Sequence, residues 1–135
     1  MVVDDEAPVL EAVLAGLASQ DHPRTDVMVV DVRRAGDGSG PSLVERVGLI
    51  APSSLVVQAP GVRGGGPAVS VGLRAWATAH PTASDPRFLL FVPGPVVLGD
   101  TAVRRLVERA VEANAAVVGP KVIGPDGELE EMGWW

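Results

Sequence analysis

Apolar residues recur at two spacings along this chain. Leu10, Val13, Leu14 and Leu17 fall at i, i+3, i+4 and i+7 and line one face of a helix. Val69, Leu73, Trp76 and Ala77 make a second stripe, stopped by His80-Pro81, with Trp76 expected in the core. Val103, Leu106, Val107, Ala110 and Val111 make a third, for which Asp100-Thr101 is the expected N-cap. Ser42 and Glu45 have capping-box spacing after Pro41, so a shorter helix is expected there. Between these stretches lie short runs rich in β-branched residues: 27–32, 55–57, 88–92 and 116–118. Each predicts a buried strand. Met1-Val2-Val3 predicts a short strand at most.

Strands alternating with helices imply βαβ units with right-handed crossovers. The expected fold class is α/β: one domain over 1–135, with a mostly parallel sheet in a three-layer αβα arrangement. Runs 27–32 and 88–92 are expected at its centre. Ligands of such sheets bind beyond the carboxyl ends of the strands. Those ends are Val3-Asp4-Asp5, Asp31-Val32-Arg33, Ala59-Pro60-Gly61, Pro93-Gly94-Pro95 and Gly119-Pro120-Lys121. Asp5, Asp31 and the Pro93–Pro95 loop are therefore expected to converge.

The loops carry much of the glycine and proline. Gly64-Gly65-Gly66 precedes the Val69 helix. Its backbone N–H groups can cradle a phosphate, or it is merely a flexible connection; it lacks the Lys-Ser/Thr of a P-loop. Pro125-Asp126-Gly127 predicts a turn, because Pro presets φ and Gly accepts positive φ.

Composition narrows the function classes. With 47% hydrophobic and 21% charged residues, the 135-residue chain can build a core. Its net charge is −6 and its basic residues are scattered, which argues against a nucleic-acid partner. There is no cysteine, hence neither disulfides nor thiolate metal sites, as in a reducing compartment. Asp4-Asp5-Glu6 follows the first three residues at once, unlike a signal peptide. No apolar stretch approaches the roughly 20 residues of a membrane span. The expected location is cytoplasmic, with association at a membrane face only through a region outside this chain.

Several segments in colinear order carry a family resemblance. Leu14 to Pro23 is a Leu-rich helix ending in Gln20-Asp21-His22-Pro23. Asp26 to Asp31 is a strand with an acid at its carboxyl end. Gly66-Pro-Ala-Val-Ser-Val-Gly-Leu73, Phe88 to Leu98, and Ala115 to Val122 with Asp126-Gly127 and Gly133 follow. The chain resembles the amino-terminal part of a family-2 glycosyltransferase, a sugar transferase of the GT-A nucleotide-sugar fold. The resemblance runs from Val2 to Gly133. It implies a nucleotide-diphospho-sugar as donor, bound by Asp5, Asp31, Gly66 and Ser70. It also implies a divalent metal, Mg or Mn, held by carboxylates after the 88–92 strand.

The chain departs from that pattern in four places. Pro93 and Pro95 stand where the family has its metal-binding acids, and proline has no side-chain oxygen to replace them. Asp31 is followed by Val32-Arg33-Arg34 instead of Asp-Gly-Ser, with Gly38-Ser39 as a displaced remnant. Ser70 replaces an Asn. The family's catalytic base would lie beyond Trp135, so the chain reads as a domain trimmed at both ends. Transfer is accordingly expected to be weak or absent, and the catalytic residues are left unassigned.

Alternatives stand beside this reading. Asp31 accepts from a nucleobase N–H, or is a strand-end acid in water. Asp4 and Asp5 line the same cleft, or cap the first helix. Asp4-Asp5, Asp31 and Lys121 also resemble the acids and lysine of a response-regulator receiver, but only one helix fits between Asp5 and Asp31. A non-catalytic α/β scaffold or interaction module is the other alternative. His22 and His80 each precede a proline and read as helix-terminal residues, with a metal pair as the alternative, and Trp134-Trp135 suggests an interface or a loose tail.

Overall fold

A computed structural model of the chain describes residues 1–3, 10–33, 42–81, 87–92 and 96–132. Three strands form a parallel sheet in the order β1 (Val2–Val3), β2 (Met28–Asp31), β3 (Leu55–Gln58). Val3, Asp31 and Gln58 are in register at its carboxyl edge. The fold is α/β, as the alternation of periods requires, and β1 is the short strand expected.

Helices α1 (Leu10–Ala18) and α2 (Leu43–Ile50) make the crossovers. The stripe Leu10, Val13, Leu14, Leu17 is buried throughout. Leu10 and Leu14 meet Val3, Val29, Leu43 and Val47 in one core cluster. The capping box of α2 is present: Glu45 N–H donates to Ser42 Oγ, and Ser42 N–H donates to Glu45 Oε2 at 2.8 Å. These bonds satisfy two donors that the helix itself cannot.

Helix α3 (Gly65–Ala79) covers the other face. Ala68 packs with Val30 and Ala59, flanked by Val2, Met28 and Val71. The layering is therefore α1 and α2, sheet, α3. The apolar stripe read from the sequence does not face the sheet. Ala68 and Gly72 are buried instead, while Val69, Leu73 and Trp76 are only half-buried. Close approach decides this. A Cβ on Gly72 would lie 2.7 Å from Met28 Cε and 2.9 Å from Val30 Cγ2, so the smallest residues set the contact. Trp76 is thus not a core residue; its ring stacks on His80, centroids 5.1 Å apart, at the helix end.

Helix α4 (Ala102–Glu112) lies beside α1. Val103 joins Val13, Leu17, Val92 and Leu98 in a second cluster on the α1 side. Gly16 is the contact point, since a Cβ there would come within 2.8 Å of the Leu98 carbonyl oxygen. The expected N-cap residues do not cap α4. Gln20 does so from the exit of α1: its Oε1 accepts from Val103 N–H at 2.8 Å. Its Nε2 donates to the carbonyls of Gly16 and Gly99. Asp100 instead accepts from Ser19 Oγ at 2.8 Å, and its carbonyl accepts from Asp21 N–H.

Two expected strands are corrected. Residues 88–92 are irregular and not a central strand; Val92 is buried, but Phe88, Leu89, Leu90 and Phe91 are exposed. An all-apolar run is a stable strand only when both faces are covered. β1 offers two residues to pair with, and among the described residues no second layer covers Phe88 to Phe91. Residues 116–118 form no strand either, and Val117 is 81% exposed. The chain pairs later, as an antiparallel hairpin of β4 (Lys121–Ile123) and β5 (Leu129–Met132). Its turn is the expected one: Gly127 has φ +83°, and Gly124 N–H donates to the Glu128 carbonyl.

Candidate functional site

The carboxyl edge of the parallel sheet is where the sequence places a site. Asp31 ends β2, the central strand, and is buried. Side chains alternate along a strand, so Met28 and Val30 face α3 while Val29 and Asp31 face the α1–α2 layer. Asp31 is engaged by its neighbour two residues on. Arg33 Nε donates to Oδ1 at 2.9 Å and Nη2 to Oδ2 at 3.0 Å, a bidentate pair; the Arg33 main-chain N–H adds a third bond to Oδ1. Burial pushes the carboxyl up, but the Arg33 guanidinium and N–H outweigh it and hold Asp31 below the ordinary aspartate range.

Gly66 and Ser70 sit in the first turns of α3, which begins where β3 ends. Both are exposed. Gly64 precedes the helix at φ +85°, a conformation that favours glycine, and supplies no side-chain cap. Ser70 Oγ donates back to the Gly66 carbonyl at 3.1 Å. The structure thus brings Gly66 and Ser70 together at the carboxyl edge. They lie on the face opposite Asp31. Asp5 and the Pro93–Pro95 loop lie outside the described residues, as do Asp4, Gly38-Ser39 and Trp134-Trp135.

A divalent ion on a sugar diphosphate needs carboxylate oxygens with free lone pairs. Among the described residues no three His, Cys, Asp or Glu side chains gather. Asp31 gives both oxygens to Arg33. Asp100, read from the sequence as part of an N-cap, bonds to the exit of α1 at the opposite end of the strands. The described residues do not fit the ion. Lys121 opens the antiparallel hairpin, on a different sheet from Asp31.

A cavity of about 400 Å³ opens at the other, amino edge of the sheet. Leu17, Val27, Ile50 and Pro52 supply its apolar wall. His22, Arg24, Ser53 and Ser54 are polar members of its lining. Neither Arg24 nor Ser54 carries a signal in the sequence, and His22 reads there as a helix-terminal residue or one of a metal pair. No motif marks them; they meet because α1 and α2 both return to this edge.

Among the described residues no helix is long and apolar enough to cross a membrane. No family model matches the chain, and no curated protein or solved structure shows significant similarity to it.

Proposed function

We propose that the chain is a glycosyltransferase-like domain of GT-A type that takes a nucleotide-diphospho-sugar at the carboxyl edge of its sheet. Binding is metal-independent and sugar transfer weak or absent. The observation that carries this reading is the in-register carboxyl edge of Val3, Asp31 and Gln58, with the exposed Gly64–Gly66 start of α3 following β3. An open helix start offers N–H groups to a diphosphate. Gly66 and Ser70 are its contacts there. Asp31 takes the nucleobase side once Arg33 turns away, and Asp5 is the further contact that the sequence resemblance implies.

The second reading, a non-catalytic scaffold, is favoured by the Asp31–Arg33 pair itself, which closes the acid off, and by the exposed run Phe88 to Phe91. Titration calorimetry with UDP-glucose, with and without Mn²⁺, separates the two. Weak binding unchanged by Mn²⁺ is the expected result. Tight, Mn²⁺-dependent binding overturns the metal-independent site. Absence of binding favours the scaffold. Replacing Pro93 and Pro95 together by Asp is expected to raise Mn²⁺ affinity more than Pro95→Asp alone, because Pro93 fixes φ in the same turn.

A further inference from the structure

We propose that the open edge of β3 is a homodimer interface, where the β3 strands of two copies pair antiparallel about a twofold axis at Val57 and join their sheets into one. The interface uses none of Asp31, Gly66 and Ser70, so it is independent of the function proposed above.

The hydrogen bonding leaves this edge open. β3 pairs with β2 alone, and among the described residues no strand lies beyond it. Leu55 N–H donates to the Val27 carbonyl at 3.0 Å and Ala59 N–H to the Asp31 carbonyl at 2.7 Å. In a parallel strand each residue turns its N–H and C=O to one side, and its neighbours turn theirs to the other. Leu55, Val57 and Ala59 therefore face β2, while Val56 and Gln58 present N–H and C=O outwards. Such an edge is a template for another strand unless something blunts it. The other strands are blunted: β1 has two residues, β4 opens with Lys121, β5 contains Glu130 and Glu131, and the β4–β5 pairing shifts register at Val122–Ile123. β3 has no charge, no proline and an unbroken register.

A second copy of the chain is the occupant this edge selects. The net charge of −6 opposes self-association over the surface in general. Between Arg46 and Arg63, though, no residue is charged, and β3 lies within that stretch. The edge is also its own complement. Val56 pairs with Gln58 of the second copy and Gln58 with its Val56, and Val57 meets its own counterpart at the non-hydrogen-bonded position. The axis is perpendicular to the sheet, so like layers meet. Arg46 bonds to Glu11 of α1, which turns the opposite side of α2 out beyond β3. That side carries Val44, half exposed, and Gly48, where an added Cβ would meet nothing within 4 Å. The two α2 helices run antiparallel, so Val44 of one copy fills the gap at Gly48 of the other.

Sedimentation equilibrium of the full chain, from about 1 μM to 1 mM, should show a monomer–dimer equilibrium with a Kd on the order of 10–100 μM. Gln58→Pro removes an outward N–H, keeps every bond to β2 and changes an exposed side chain. It should raise Kd at least about tenfold with an unchanged circular dichroism spectrum. Gly48→Lys sets like charges against each other and should also raise Kd about tenfold. Its thermal midpoint should not fall, because lysine favours helix over glycine. Phe91→Ser should leave Kd unchanged. A chain that stays monomeric at the highest concentration overturns the proposal, as does growth beyond the dimer. Dimerisation that survives Gln58→Pro or Gly48→Lys undiminished overturns it as well. Loss of the dimer in Phe91→Ser alone would assign association to the exposed run 88–91 instead and overturn the β3 interface.

Discussion

The stretch from β1 to α3 and the stretch from residue 87 onward contain comparable apolar runs, yet only the first builds a two-sided core. β2 is covered by α1 and α2 on one face and α3 on the other, and Val29 and Val30 are almost fully buried. Phe88 to Phe91 is no less apolar, but its side chains are exposed, as are Ile123 and Leu129 of the hairpin. Hydrophobicity supplies the drive to bury a run, while the geometry of its neighbours decides whether burial is available. The two regions are joined through the cluster of Val13 and Leu17 with Val92, Leu98 and Val103, the close contact of Gly16 with Leu98, and hydrogen bonds from the exit of α1 to the start of α4.

The largest effect that tests this contrast comes from the core. Leu14→Ala is expected to cost about 2–5 kcal/mol, since the side chain is fully enclosed. Ile123→Ala, in the hairpin, should stay within about 0.5 kcal/mol. Urea unfolding of both variants measures the difference. A similar loss in both would mean that the hairpin region is packed after all.

Gly16→Ala comes next. Its new Cβ meets backbone at Leu98, which cannot swing aside as a side chain can. A loss of about 1–3 kcal/mol is expected, together with reduced amide protection in α4. Hydrogen exchange reads the second part. Intact protection of α4 at lowered global stability would show that α4 is held by contacts other than this junction.

The smallest effect concerns Asp31. Its folded pKa is depressed, so its pairing with Arg33 stabilises the fold fully above the unfolded aspartate value. That contribution is lost as pH falls from there through the lower folded value. The gap in urea midpoint between the wild-type chain and Asp31→Asn should be widest near neutrality and close on acidification. A gap independent of pH would mean that the ion pair adds nothing to stability.

Local signals were legible where one element suffices to satisfy them. The α1 stripe, the Ser42–Glu45 capping box, the stop at His80-Pro81 and the Pro125–Gly127 turn all depend on residues within a few positions of each other. The β5 strand was not legible: Leu129-Glu130-Glu131-Met132 has no β-branched residue, and pairs because the turn delivers it to β4. Of the candidate site, the position of Asp31 at a strand exit was readable. Its bidentate closure by Arg33 was not, because that depends on how the chain turns after β2.

The sequence by itself determined the α/β class, the parallel order of strands and helices from β1 to α3, and the ends of those helices that carry local caps. These follow from periodicity and from hydrogen bonds over three or four residues. Only the tertiary structure decided which face of α3 meets the sheet, because close approach at Gly72 outweighs the larger apolar stripe beside it. It also decided that Gln20 caps a helix some eighty residues away, and that His22, Arg24 and Ser54 share one cavity. Those outcomes depend on distances between elements, which no local pattern encodes.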